Sequence, residues 1–153
     1  MSPDEIRSRY ERIRAEVGPS VTVVAATKYV SVDELDVLAA AGVEVVGENR
    51  AQDLEAKHAV YGDAFRWHFI GHLQSRKAAL VNRICELVHS LDSESAARRL
   101  EIPALVQVNL AGEATKSGVA SGSKNGSSAT RVAMTLTPAV LSTRAAISRG
   151  PLR

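Results

Sequence analysis

Val21-Thr22-Val23-Val24-Ala25-Ala26-Thr27-Lys28-Tyr29 is the stretch on which the reading of this chain turns. Residues 21–26 form an apolar, β-branched run of strand length with no polar alternation. Such a run suits a parallel strand covered on both faces. It ends on Thr27-Lys28-Tyr29 instead of a glycine-rich loop, so the dinucleotide-binding fingerprint is missing. A doubly wound sheet and a barrel are both compatible with the pattern, and the missing glycines tip the balance to the barrel.

Working outward, the same unit recurs. Upstream, Ile6, Tyr10, Ile13 and Val17 fall at helical spacing, with Pro3 in the first turn and Gly18 at the stop. Downstream, Ser31-Val32-Asp33-Glu34 is a capping box for a helix through Leu35, Leu38 and Ala39 that ends at Gly42. A strand at 43–46 leads to a turn, Gly47-Glu48-Asn49, and then to a helix that Asn49 and Gln52 cap and that runs to about Val60. Strands at 65–70, 86–90 and 104–109 follow, separated by helices near 74–82 and 93–100, the last capped by Asp92 or Ser93. Five strands alternating with helices mean βα units and a parallel sheet.

Charge and composition exclude several function classes. Net charge is +2, but residues 1–119 carry −3 and the last 34 residues, free of Asp and Glu, carry +5. The body is mildly acidic, which argues against a nucleic-acid partner. No apolar run approaches the ~20 residues of a membrane span, and the charged start is unlike a signal peptide. A single cysteine, Cys85, excludes an intrachain disulfide and fits the cytoplasm; in its apolar setting it reads as core filler. After Val119 the text becomes Ala, Ser, Thr, Gly and Arg, which divides the chain into a βα body, 1–119, and a divergent tail, 120–153. Within the tail, 121–128 reads as linker, 132–136 as a strand and 139–147 as a helix.

Reactive groups of parallel α/β proteins sit at the carboxyl ends of strands. Those positions here hold Lys28, Glu48, Asn49, His68, Gly71, His72, Ser90, Asp92, Gln107 and Asn109. Lys28 directly follows a buried strand, where a poorly solvated ammonium would have a lowered pKa and a nucleophilic amine; a lysine snorkelling to water is the plainer reading. His68 and His72 straddle a strand end, which makes a metal pair a poor reading. Asn49 and Asp92 read most economically as helix caps. Gln107 and Asn109 alternate with valines, so one face of the fifth strand is polar and would point into a barrel mouth.

Several strings then occur in order: Thr27-Lys28-Tyr29, Gly47-Glu48-Asn49-Arg50, Trp67-His68-Phe69-Ile70-Gly71-His72-Leu73-Gln74-Ser75-Arg76-Lys77, His89-Ser90-Leu91-Asp92-Ser93, Val106-Gln107-Val108-Asn109 and Lys116-Ser117-Gly118-Val119. Together they resemble the pyridoxal phosphate homeostasis protein family, relatives of the alanine racemase N-terminal domain, over residues 1–119. The resemblance implies a (β/α) barrel of the pyridoxal 5′-phosphate (PLP) type, with about five of its eight units present. It implies Lys28 as the Schiff-base lysine, Asn49 and His68 close to the cofactor and Lys116 as a second lysine. Ser90, Gln107 and Asn109 join them as strand-end candidates.

It further implies a non-catalytic, monomeric PLP binder in vitamin B6 homeostasis, with PLP-dependent apoenzymes as acceptors. The family's later phosphate-holding loops have no counterpart after Val119, so PLP binding should be weak. The tail's composition fits an out-of-frame reading or a truncation better than a diverged half-barrel. Open edges on the first and fifth strands, of which the strand at 132–136 could cover one but not both, would invite self-association. The competing readings are a racemase-like or other lysine Schiff-base enzyme, opposed by the absence of any evident acid/base pair, and a non-functional product.

Overall fold

The computed structural model describes residues 1–109, 118–120, 132–133 and 145–149. The chain enters through α1 (Pro3–Val17), where the Ser2 hydroxyl accepts from the Glu5 amide and the Glu5 carboxylate accepts from the Ser2 amide at 2.8 Å. Gly18 ends the helix at φ 82°, a left-handed value that favours glycine. Tyr10 is buried, and Ile6, Ile13 and Val17 pack on the core beside it, as the helical spacing requires.

β1 (Val21–Ala26), β2 (Val45–Glu48), β3 (Arg66–Phe69), β4 (Cys85–Leu91) and β5 (Ala104–Val106) pair side by side, each parallel to the next. Their order in the sheet is their order in the chain, with no reversal. A doubly wound sheet reverses its strand order; a βα barrel does not. The crossovers carry α2 (Leu35–Ala40), α3 (Ala51–Tyr61), α4 (Ala78–Ile84) and α5 (Glu94–Ala97). Val23, Val46, Trp67, Phe69, Val88 and Ala104 of the strands form one core with Leu35, Leu54, Val81 and Ala96 of the helices. Leu54 is fully buried; cutting such a side chain to alanine costs about 2–5 kcal/mol.

Several local expectations shift. The second strand extends through Gly47 and Glu48, because both pair in register with His68 and Phe69. Arg50, with no side-chain cap, precedes α3, so Asn49 is not its cap. Ser93, not Asp92, caps α5, accepting from the Ala96 amide at 3.4 Å. The expected fifth strand breaks at Gln107. Beyond it β6 (Val108–Asn109) pairs in parallel with β7 (Val119–Ala120) in a separate two-stranded sheet.

The open-edge expectation is corrected as well. β8 (Val132–Ala133) lies parallel on β5, and β9 (Ala145–Arg149) lies antiparallel along β1 from Val21 to Ala25. Backbone groups at a sheet edge need partners whatever the side chains are, and both edges find them here. Residues 145–147 therefore extend instead of forming the expected helix; the expected linker and the rest of that helix lie outside the described residues.

Candidate functional site

The carboxyl ends of β1 to β4 are joined laterally by two different kinds of contact. Between β1 and β2 the contact is ionic. Thr27 is almost fully buried. Its amide donates to the Gly47 carbonyl at 3.0 Å and its hydroxyl to Glu48 Oε1 at 2.5 Å. Lys57 reaches in from α3, and its Nζ donates to Glu48 Oε1 at 2.6 Å and to the Thr27 carbonyl at 2.8 Å. Lys57 and Glu48 side chains are 5% and 0% exposed, so this ion pair is withdrawn from water. Glu48 Oε2 is buried without a hydrogen-bond partner among the described residues.

Lys28 follows Thr27 on a turn closed by the Val30 amide on the Thr27 carbonyl at 2.9 Å. The expectation of a poorly solvated ammonium does not hold, because the chain leaves the sheet at Ala26 and Lys28 is exposed. Its Nζ lies 5.0 Å from the ring centroid of Tyr29, itself 90% exposed. The poorly solvated lysine is Lys57, which the sequence reading passed over. The available signal was positional: Ala51, Leu54 and Lys57 are the buried residues of α3, so a lysine occupies the helix's apolar stripe.

Between β2, β3 and β4 the contacts are hydrogen bonds and close packing. Gly71 lies against the Asn49 backbone so tightly that a Cβ there would sit 2.0 Å from the Asn49 carbonyl oxygen. Its own carbonyl accepts from the buried Ser90 hydroxyl. Asn49, Gly71 and Ser90 thus come together, as strand-end positions should. His68 pairs with Gly47 on the sheet face opposite Trp67 and Phe69, and its Nδ1 lies 2.9 Å from His89 Nε2. Burial, reinforced by the neighbouring His89, pushes the His68 pKa down to about 4, and burial lowers His89 too. Glu86 Oε2, bound to Arg66, stands 3.9 Å from His68 Nε2.

His72 and Asp92 form a pair absent from the sequence reading, with Nδ1 and Oδ2 3.0 Å apart. His72 is 60% exposed and Asp92 9%. The carboxylate orients the ring and leaves Nε2 at the surface, the arrangement of a general acid or base. Asp92 Oδ1 is buried without a hydrogen-bond partner among the described residues. Gln107 donates its amide to the Leu91 carbonyl at 2.8 Å and accepts from Val119, and Asn109 lies in β6. Lys116 lies outside the described residues. Cys85 is buried, which pushes its thiol up to about 12, consistent with core filler.

Sequential parallel strands with polar groups collected at their carboxyl ends define the class: an open part of a (β/α) barrel. PipY of Synechococcus elongatus, solved with PLP bound, shares this fold at a TM-score of 0.66 and 31% identity, over 74% of this chain and 57% of PipY. Pyridoxal phosphate homeostasis proteins are similar in sequence. That of Corynebacterium glutamicum is 34% identical over 115 residues, covering 65% of this chain and 52% of the relative. That of Vibrio cholerae is 36% identical over 114 residues, covering 65% and 48%. Over this matched part the chain is similar in sequence and fold to pyridoxal phosphate homeostasis proteins. It spans about half the length of the curated relatives it matches. No family model matches the chain.

Proposed function

We propose that this chain binds PLP through a Schiff base at Lys28 and serves as a non-catalytic carrier in PLP homeostasis, delivering the cofactor to PLP-dependent apoenzymes. The observation that carries the reading is the setting of Lys28: an exposed amine at the end of the first barrel strand, outside any ion pair among the described residues, on a buried threonine. The group fits in one further respect. Asn49, Gly71 and Ser90 converge on neighbouring strand ends, where backbone comes close enough for only a glycine at 71. PLP would supply an aldehyde for reversible condensation with an amine. Lys28 presents Nζ to solvent, so cofactor can enter and leave without a conformational opening, and the condensation releases one water. Asn49 and Ser90 offer polar groups at the ends of β2 and β4 on the same rim, and His68 stays neutral at physiological pH, able to accept or donate one hydrogen bond. Gln107, Asn109 and Lys116 belong to the same proposed set.

Borohydride reduction of PLP-treated protein, followed by peptide mapping, should label Lys28. Label spread over other lysines, and unchanged by Lys28→Ala, would overturn the reading.

The His72–Asp92 pair favours a second reading, a racemase-like enzyme. Interconversion of alanine or serine enantiomers that needs PLP and disappears in His72→Ala would establish it; no turnover would leave the carrier.

A further inference from the structure

We infer that Lys57 and Glu48 are positioning residues for Lys28: a buried ion pair whose role is to hold the Lys28 turn in place instead of to stabilise the fold. This rests on the reading that Lys28 carries the cofactor. A buried ion pair is a weak source of stability, because the cost of removing two charges from water offsets their attraction. Apolar residues of similar volume would serve the core at least as well. The charges at this place instead serve geometry. Lys57 Nζ bridges Glu48 Oε1 and the Thr27 carbonyl at 2.6 and 2.8 Å, and the Thr27 hydroxyl reaches the same Glu48 oxygen. Thr27 is therefore tied at its amide, carbonyl and side chain, to β2 and to α3.

Lys28 is the next residue, so its Cα has little freedom, while its side chain remains exposed. A nucleophilic amine on a loose turn pays the orientation entropy at every encounter; on an anchored turn that entropy is already spent. The buried pair thereby fixes the origin of the side chain without drawing Nζ itself into an ion pair.

Two double variants separate geometry from stability in the full chain. Glu48→Leu with Lys57→Met removes both charges and the tether to the Thr27 carbonyl. Glu48→Gln with Lys57→Gln keeps neutral hydrogen-bonding groups at both places. The apolar variant should unfold at an unchanged or higher denaturant midpoint, yet exchange its Val30 amide faster. Its Lys28 should be labelled by PLP and borohydride about tenfold to a hundredfold more slowly. The glutamine variant should recover most of that rate. Unchanged exchange and labelling in the apolar variant would overturn the positioning role alone, as would labelling that only tracks the folded fraction. Faster exchange with no Lys28 labelling even in the unaltered chain would overturn the cofactor reading, and the role inferred here with it.

Discussion

The two halves of the strand-end rim are built from different chemistry. At β1 and β2 a lysine and a glutamate are sealed from water, with Thr27 between them. At β3 and β4 the rim is neutral or half-exposed: an imidazole pair, a serine on a glycine carbonyl, and a histidine whose partner carboxylate is largely buried. A sealed charge pair has no cheap alternative state, because separating it leaves a charge without water. Imidazoles titrate in an accessible range and change partners at modest cost. One half is therefore held in a single arrangement, and the other can exchange partners.

The largest effect expected from breaking this contrast is at Lys57. Lys57→Met leaves Glu48 charged and buried without its partner, which should cost about 3–5 kcal/mol. Urea unfolding checks this, and adding Glu48→Leu should restore most of the loss. Next is Gly71→Ala on the neutral half. Its Cβ would sit 2.0 Å from a backbone oxygen, so β2 and β3 must part there. The expected cost is about 1–3 kcal/mol by the same measurement, as for other overpacked sites.

The third concerns pH. The unfolded His68 takes up a proton near 6.5, whereas the folded residue holds off until about 4. The unfolded state thus binds more protons across that window, and stability falls as pH drops from 6.5 towards 4. His89 adds in the same direction. Melting midpoints measured across this range should decline, and His68→Gln should flatten the decline. The smallest effect is expected at the surface. Arg14 and Glu44 are as close as Lys57 and Glu48, 2.6 Å, but about half exposed. Arg14→Ala should cost under about 1 kcal/mol, less still in high salt. Equal costs at Lys57 and Arg14 would mean that burial does not decide the strength of either pair.

Much of the rim was legible because strand ends can be read from apolar runs. Lys28, Asn49, His68 and Ser90 all fall at such ends, and all four lie there in the structure. The contacts among them were not legible. Glu48 read as part of a turn because a carboxylate is unexpected in a buried strand; Lys57 made it tolerable from nine residues along the chain. Asp92 read as a cap because local side-chain bonding is the usual use of Asp before a helix, and Ser93 took that place instead. His72, twenty residues away, became its partner.

By itself the sequence determined the repeating βα order, the apolar bodies of the strands and the polar residues at their carboxyl ends. These follow from local periodicity, which each segment carries within itself. Only the tertiary structure decided that the strands lie in chain order without reversal, that Lys28 is exposed while Lys57 is buried, and that the outer sides of β1 and β5 are both paired. Those outcomes depend on which distant groups share a low-dielectric space or an unsatisfied backbone edge. Such neighbours are set by packing, since no short window of sequence contains both partners.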